Sequence, residues 1–180
     1  FLDENLMTMD SASRYKWMPA VCDALQPLGI HWAGTSHASL YRTDTLRRMR
    51  EAGCSHLVYG LESFDPYILK RLGKGTTAAN NVQAVRDTQA AGIAPIPNII
   101  IGFPEESFDS VRNTIHGLLE LGIHARPHFA TAYPGSEWYY TYKDAISEQY
   151  GGDLEAYVAD LGDATKITAT ISERFTGVEL

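Results

Sequence analysis

The sequence has few cysteines: Cys22 and Cys54 are the two among 180 residues. Cys22 falls on the predicted apolar face of a helix, and Cys54 comes just before a predicted strand. Two widely separated cysteines give no sign of a disulfide framework, and we expect both side chains to pack as small core residues. A reducing compartment suits such a chain, so the expected location is cytoplasmic.

Long apolar runs and an excess of positive charge are also missing. No apolar run approaches the roughly 20 residues of a membrane-spanning helix, and no signal peptide is visible, so a membrane is not an expected partner. Acidic residues outnumber basic ones by 22 to 15, a formal net charge of −7. This balance argues against nucleic acid as a main partner, because a phosphate backbone attracts basic surfaces. The chain begins at Phe1 without a methionine and is interpreted as a piece of a longer protein.

Common metal and phosphate motifs do not occur. The six histidines show neither HExxH nor a paired Cys/His spacing. His124 and His128 could share one face of a strand, where a packing or surface role is favoured over metal binding. The segment from Gly73 to Thr76 follows a predicted helix and lacks the first glycine of a phosphate-binding loop, so it is rejected as one.

What the sequence does have is a series of strand–helix units. The predicted strands begin near Ile30, Ser55, Ile93 and Ala125. Helix-sized crossovers between them require parallel strands. About five units fit, so the predicted fold is α/β, an open or partial (β/α) barrel with parallel strands, with a doubly wound sheet as the second choice. We expect one domain over residues 1–180, with about 150–180 as a peripheral extension.

Two of the predicted helices have a defined start and end. The first is capped by Asp10, Ser11 or Ser13 and runs to about Leu28, although Pro19 would kink it or move its start. The second follows Ser107 and ends at Gly122. Its predicted buried face comprises Phe108, Val111, Ile115, Leu118 and Leu119.

The stretch from His56 to Asp65 organises the chain. An apolar run ending at Tyr59 predicts a strand buried on both faces. Asp65 and Pro66 then begin a helix, as N-cap and first helical residue. Glu62 and Ser63 therefore lie at the carboxyl end of an interior strand, where parallel α/β folds bind ligands. The alternative is that Glu62 caps the next helix or pairs with a nearby Lys or Arg.

Five phrases at the ends of successive strands resemble, in this order, the radical S-adenosylmethionine superfamily. They are FLDENL at 1–6, YGLES at 59–63, LKRLGKGTT at 69–77, NIIIGFPEES at 98–107 and AYPGSEWYY at 132–140. The resemblance covers the chain from Phe1 to about Tyr140. It is nearest to the branch with cobalamin-binding radical enzymes and methylthiotransferases.

The resemblance implies a partial barrel with S-adenosylmethionine lying across its top. In such enzymes a reduced [4Fe–4S] cluster donates one electron to the sulfonium, which yields methionine and a 5′-deoxyadenosyl radical that abstracts a substrate hydrogen. The implied partners are a small-molecule substrate, an electron donor and the upstream part of the same polypeptide. Cobalamin, held by an upstream domain, is a further implied cofactor.

The resemblance also implies roles for individual residues. Asp3 and Glu4 stand where the family meets the methionyl amino group, since acidic side chains suit an ammonium. Glu62 stands where a carboxylate accepts hydrogen bonds from the ribose hydroxyls. Ser63 assists Glu62 or only caps the following helix, and capping is preferred.

Further implied positions surround adenine and the methionyl carboxylate. Asn98, Gly102 and Pro104 belong to the segment that packs beside adenine, where the glycine allows close backbone approach. Tyr133 belongs to the loop that closes the adenine side. His37 stands where relatives often carry arginine, and it would meet the methionyl carboxylate in its charged form or as a neutral donor. An ordinary loop histidine is the alternative.

The cluster-binding CxxxCxxC loop is absent from the sequence, and neither Cys22 nor Cys54 matches it. Because cluster irons need thiolate ligands, this polypeptide alone is predicted to bind no cluster and to be inactive, with the loop upstream in the intact protein. One alternative is a degenerate, non-catalytic barrel that binds a small molecule or a partner. Another is a methylthiotransferase acting on nucleic acid, against which the acidic balance argues.

Overall fold

The computed structural model describes residues 5–163, 166–177 and 179. The predicted end of a strand at Phe1 and Leu2, and the candidate residues Asp3 and Glu4, lie outside the described residues. The described helices are α1 (Leu6–Ala12), α2 (Trp17–Leu25), α3 (Thr43–Glu51), α4 (Pro66–Leu72), α5 (Ala78–Ala90), α6 (Phe108–Glu120), α7 (Glu137–Gln149) and α8 (Leu154–Asp160). The described strands are β1 (Trp32–Ser36), β2 (Cys54–Glu62), β3 (Ala94–Ile101) and β4 (Pro127–Phe129).

The described residues divide into two compact units. The first unit comprises 5–99 and 109–126, and the second comprises 100–108 and the described residues from 127 onward. Two units are compatible with one domain, so the expectation of a single domain with a peripheral extension stays a prediction.

The sheet confirms the predicted parallel α/β fold. The four described strands follow the order β1-β2-β3-β4, and β2 pairs in parallel with both β1 and β3. In the first unit, alternate residues of β2 are buried, among them Leu57, Tyr59 and Leu61, each with no exposed surface. In the second unit, the Ala130 N–H donates to the Ile101 carbonyl at 2.8 Å.

The helix starts predicted at Asp65 and after Ser107 are confirmed, whereas the start of the first predicted helix is not. The Asp65 carboxylate accepts hydrogen bonds from the N–H groups of Tyr67 and Ile68 at 2.9 and 3.0 Å, and Pro66 is the first residue of α4. Thr77 caps α5 through the Asn80 N–H. Such caps satisfy backbone donors that have no partner within the helix, so a local sequence signal suffices to place them.

The first predicted helix ends near Leu28 as expected, because a 3₁₀ turn, Gln26–Leu28, directly follows α2. Its predicted start is wrong, because a tight turn separates α1 from α2. Tyr15 in that turn has φ +60°, and its N–H donates to the Asp10 carbonyl at 2.6 Å. The Asp10 carboxylate lies in α1 rather than before a helix, and it accepts from the Met18 N–H in the first turn of α2 at 2.8 Å. Pro19 is the third residue of α2, where a missing N–H costs little.

The predicted buried face of α6 is also wrong. Phe108 and Leu119 are each 69% exposed and Ile115 is 49% exposed, whereas Ser110 and Thr114 are buried. The polar face is the buried one because Thr114 Oγ1 accepts from the Phe64 N–H at 3.1 Å. The loop after β2 therefore satisfies its backbone through this helix.

Two smaller predictions differ from the structure. The strand expected near Ala125 is confined to Pro127–Phe129. His128 lies in this strand and His124 lies before it, so these two histidines do not share a strand. The first predicted strand begins at Trp32 rather than Ile30. Among the described residues, no helix has the length and apolar character that crossing a membrane requires.

Candidate functional site

Glu62 ends strand β2 in a left-handed backbone conformation, with φ +61°. The parallel register with β3 slips here: Gly60 lies opposite Asn98, and Glu62 lies opposite Ile99. A residue with a side chain seldom adopts positive φ, and such strain concentrates at functional sites. This irregularity lies at the carboxyl end of β2, where the Glu62 side chain is 15% exposed.

Lys74 is the partner of this carboxylate. Its ammonium forms an ion pair with Glu62 Oε1 and donates to the Gly60 carbonyl at 2.9 Å. A Cβ at Gly60 would collide with the Lys74 ammonium, so the glycine makes room for it. The alternative that the sequence left open, a pairing of Glu62 with a nearby lysine, is therefore present in the structure.

His37 follows strand β1 and lies in the same electrostatic environment. Its Nδ1 is 2.9 Å from the Ser39 hydroxyl. Burial, and then the neighbouring charge of Lys74, lower the pKa of His37 below its ordinary value of 6.5. This shift disfavours the charged form of the ring and leaves the neutral donor as the favoured form in which His37 would meet a carboxylate.

Lys74 is a site residue that the sequence did not predict. The segment 69–77 counts toward the family resemblance, but no role follows from it for Lys74, and Gly73 to Thr76 is rejected as a phosphate loop. The signal available in the sequence was the position of Lys74 between two glycines, directly after α4, the helix that follows β2. That Lys74 reaches back over twelve residues to Glu62 depends on the path of α4, which no local pattern gives.

Ser63 has the contacts of a structural residue. It is fully buried, its hydroxyl is 2.9 Å from Thr114 Oγ1, and it accepts from the Asp65 N–H at 3.0 Å. The N-cap of α4 is Asp65, so Ser63 does not cap that helix as the sequence favoured; its hydroxyl orders the turn before it. Its predicted assistance to Glu62 in binding a cofactor stays a prediction.

Gly102 forms a tight turn in the second unit, directly after β3. It has φ +83°, and its N–H donates to Glu106 Oε2 at 2.6 Å. Pro104 is buried, and its carbonyl accepts from the Glu173 N–H at 2.9 Å. The glycine supplies the conformation, and the carboxylate holds the backbone of the turn, so the Gly102 segment is fixed by its own chain.

A cavity of about 290 Å³ lies in the second unit beside this turn. Its lining residues are Gly102, Phe129, Ala130, Ile167, Thr168, Ala169, Thr170 and Gly177. The cavity is at the lower end of the roughly 300–1,000 Å³ usual for small-molecule pockets. Its wall includes one aromatic ring, two glycines, and residues 167–170 and 177 of the C-terminal tail, which lie outside helices and strands.

The C-terminal tail, residues 166–177, which lines the cavity through 167–170, is hydrogen-bonded to α7. The Gln149 side-chain amide donates to the Thr170 carbonyl and accepts from the Thr170 N–H, both at 3.0 Å. Ile171 and Phe175, further along, are 4% and 5% exposed. The tail is therefore an integral part of the second unit.

The remaining predicted adenine-side residues lie in different surroundings. Tyr133 is 56% exposed, and its carbonyl accepts from the Ser136 hydroxyl at 2.7 Å in the Tyr-Pro-Gly-Ser turn. Asn98 is half-buried within β3. Trp138, which follows this turn, is half-buried and packs edge-on against Phe103 with ring centroids 5.9 Å apart.

The two cysteines do not fit an iron–sulfur cluster. Both are buried, and burial raises the pKa of the Cys22 thiol to about 11 and that of the Cys54 thiol to about 12. A cluster needs accessible thiolates, which neither residue supplies at neutral pH. In the part of the chain that the structure describes, no three His, Cys, Asp or Glu side chains gather as metal ligands would.

These features define a class of protein. Parallel α/β enzymes bind ligands at the carboxyl ends of their strands, and here β2 ends in a paired carboxylate and ammonium while β3 ends in a glycine turn beside a cavity. The sequence matches the Radical SAM superfamily over residues 6–118. The chain belongs to this superfamily.

Two curated relatives are methyltransferases by name. An uncharacterized methyltransferase from Pyrococcus horikoshii is 35% identical over 115 residues, which cover 63% of this chain and 25% of the relative. The bacteriochlorophyllide d C-12(1)-methyltransferase of Chlorobaculum tepidum is 27% identical over 150 residues, which cover 81% of this chain and 32% of that enzyme. The chain thus spans a quarter to a third of the length of these relatives.

Solved structures of radical S-adenosylmethionine enzymes share the fold. One is the methyltransferase TsrM from Kitasatospora setae, solved with cobalamin and a [4Fe–4S] cluster bound. It is 16% identical, with a TM-score of 0.53, over 62% of this chain and 22% of TsrM. The likeness confirms the predicted radical S-adenosylmethionine type of parallel α/β fold.

Proposed function

We propose that this chain is the catalytic-barrel portion of a radical S-adenosylmethionine methyltransferase. The observation that carries the proposal is Glu62, a carboxylate held in a strained conformation at the end of the central strand β2 and paired with Lys74. Membership of the superfamily and two relatives named as methyltransferases support it. The substrate would be a small molecule.

In this proposal Glu62 and Lys74 bind different polar groups of one cofactor. Bound S-adenosylmethionine supplies the carbon–sulfur bond whose reductive cleavage the superfamily uses, and a methyl group for transfer. The Glu62 carboxylate can accept hydrogen bonds from two ribose hydroxyls. Lys74, as a half-buried cation, is better suited to a methionyl carboxylate than His37, whose pKa is lowered by burial and by the Lys74 charge. The adenine contact expected of Gly102 stays a prediction.

The iron–sulfur cluster would have to be held elsewhere in the intact protein. The buried thiols of Cys22 and Cys54 do not fit it, and the chain spans a quarter to a third of its curated relatives. The electron donor would act on the cluster-binding part of the intact protein. A cobalamin would also bind outside this chain, as the bound groups of TsrM suggest. We propose a cytoplasmic setting for the whole enzyme.

Cofactor binding by the chain itself tests the proposal. Isothermal titration with S-adenosylmethionine should show one site, weakened about tenfold or more by Glu62→Gln and by Lys74→Met, because each removes a charged partner. Asp109→Asn is the matched control, since that carboxylate is exposed and pairs on the surface of α6. Wild-type protein that binds no S-adenosylmethionine would contradict the proposal.

Reconstitution tests the catalytic part. With iron and sulfide under anaerobic conditions this chain should stay colourless. A longer protein from the native reading frame that includes a CxxxCxxC loop should turn brown and release methionine and 5′-deoxyadenosine when reduced. If that longer protein stays colourless and inert, the second candidate gains: a non-catalytic barrel that binds a small molecule, which the unsuitable cysteines of this chain favour.

A further inference from the structure

We infer that Asn81 is a positioning residue that holds Glu62 in its ligand-facing conformation. The inference rests on the proposed function, because it concerns the carboxylate that would bind the cofactor. Asn81 lies in the first turns of α5, nineteen residues after Glu62, and has no exposed surface.

The Asn81 side-chain amide hydrogen-bonds to the backbone on both sides of Glu62. Its Nδ2 donates to the Leu61 carbonyl at 2.9 Å and to the Ser63 carbonyl at 3.0 Å. One side chain thus uses both of its N–H donors on the carbonyls of the residues before and after the strained residue. The Ser63 N–H also donates to the Leu61 carbonyl at 2.8 Å, which tightens the same turn.

A second contact fixes the direction of the Asn81 amide. Asn81 Oδ1 accepts from the Thr76 hydroxyl at 3.0 Å, so its two donors are left for the turn. Thr76 is itself buried, in the loop that carries Lys74. The conformation of Glu62 and the path of the Lys74 loop are therefore tied together through Asn81.

Glu62 needs such support because of its backbone. With φ +61° it adopts a conformation that residues other than glycine rarely keep unless the surroundings impose it. Without the Asn81 donors, we expect the Glu62 backbone to relax toward an extended conformation of lower free energy. The carboxylate would then move away from the Lys74 ammonium.

The test uses Asn81→Asp, which keeps the shape of the side chain and its acceptor for Thr76 but removes both donors. The control is Asn80→Asp, the neighbouring residue on α5, which contacts Thr77 and is exposed. Asn81→Ser is a second variant, smaller and uncharged, in case the buried carboxylate prevents folding. Circular dichroism confirms that each variant is folded.

The first readout needs no ligand. In the NMR spectrum of the free protein, the Cα shift and the HN–Hα coupling of Glu62 report its φ angle. We expect both to move away from left-handed values in the Asn81 variants and to stay unchanged in Asn80→Asp. Unchanged Glu62 values in a folded Asn81 variant overturn the inference.

The second readout is a double-mutant cycle on the affinity for S-adenosylmethionine. Asn81→Asp should weaken binding about tenfold in the wild-type background and less than about twofold when Glu62 is already Gln, because Asn81 acts through Glu62. An equal loss in both backgrounds overturns the inference, since a merely structural role would be additive. If the wild-type chain binds no S-adenosylmethionine, the proposed function fails, and the NMR readout still decides whether Asn81 positions Glu62.

Discussion

Glu62 is the residue where backbone strain and charge coincide. Positive φ costs a residue with a side chain roughly 1–2 kcal/mol, and the ion pair with Lys74 recovers only part of that, because partly exposed pairs contribute about 1 kcal/mol or less. A residue chosen for stability alone at φ +61° would be glycine. The carboxylate at this position is therefore better explained by binding than by folding.

The strained backbone of Glu62 predicts a divergence between stability and binding. Glu62→Gly and Glu62→Gln both remove the ion pair, but only glycine relieves the strain. We expect Glu62→Gly to be more stable than Glu62→Gln by about 0.5–1 kcal/mol in urea denaturation, after allowing for the greater freedom of glycine in the unfolded chain. Both should lose affinity for S-adenosylmethionine.

The comparison of the two variants is its own control, because the charge change is the same. A glycine variant no more stable than the glutamine variant would mean that the Glu62 backbone stores no strain. Retained affinity in either would mean that the carboxylate does not contact the cofactor.

Local signals in the sequence identified several residues, and long-range contacts account for those missed. Glu62 could be singled out because it follows an apolar strand, and Asp65 because it precedes a proline at a helix start. Lys74 and Asn81 reach Glu62 and its flanking carbonyls across a helix or more of chain. Nothing in the spacing of these residues predicts such contacts.

At the scale of elements, α6 shows why a periodic apolar pattern misled. Phe108, Ile115 and Leu119 recur at helical spacing, yet they are largely exposed. The buried face instead carries Thr114, which serves the loop after β2, and Gly117, against which the Phe64 ring packs. Periodicity finds a helix, but close contact and hydrogen bonding decided which face is buried.

Gly117 gives a prediction for this packing. A Cβ there would overlap the Phe64 ring, which is 5% exposed and cannot easily move. Alanine favours a helix over glycine by about 1 kcal/mol, but overpacking a core costs typically 1–3 kcal/mol. We therefore expect Gly117→Ala to lower the free energy of unfolding by about 1 kcal/mol in a denaturant titration.

A compensating change separates overpacking from other causes. Phe64→Leu alone should destabilise the protein, but the pair Gly117→Ala with Phe64→Leu should be less unstable than the sum of the two single variants. Simple additivity would show that the two side chains do not compete for the same space.

The tail segment gives a second prediction at this scale. The Thr170 N–H donates to the Gln149 side chain, which also binds the Thr170 carbonyl. Removing both bonds by Gln149→Leu should speed hydrogen exchange of the Thr170 amide about tenfold, because local opening then meets less resistance. Gln83→Leu, which loses a surface bond to Asp87, should leave that amide unchanged. An unaltered rate at Thr170 in Gln149→Leu would mean that other contacts hold the tail.

For the whole molecule, the sequence predicted the family and the alternation of strands and helices from β1 onward, but neither the separate α1 nor the grouping into units. The strand–helix alternation specifies a parallel sheet because short turns cannot join parallel strands. The grouping depends on where the tail packs, and this is set by isolated contacts such as the edge-on ring pair of Phe108 and Phe175 inside the second unit. Such pairs, distant in sequence, leave no periodic trace.

Buried cysteine thiols and tyrosine hydroxyls make the free energy of unfolding fall as the pH rises through the alkaline range. Burial raises the pKa of Cys22 from 9.0 to about 11 and that of Cys54 to about 12. It also raises the pKa of Tyr59 and Tyr157 from 10.0 to about 12. Each group is protonated in the folded state at a pH where the unfolded chain has released its proton. Raising the pH therefore favours unfolding.

The cysteines should dominate the first part of this loss, because unfolded thiols ionise before tyrosines. We expect a constant thiol contribution below about pH 9 and a falling free energy of unfolding above it, with a slope of at most about 1.4 kcal/mol per pH unit for each group. The double variant Cys22→Ala, Cys54→Ala should be less stable at pH 7, since it leaves small cavities, yet decline more slowly between about pH 9 and 10. Urea titrations at half-unit steps measure both curves. Parallel curves would mean that the thiols titrate alike in the folded and unfolded chain, which their complete burial against the core argues they do not.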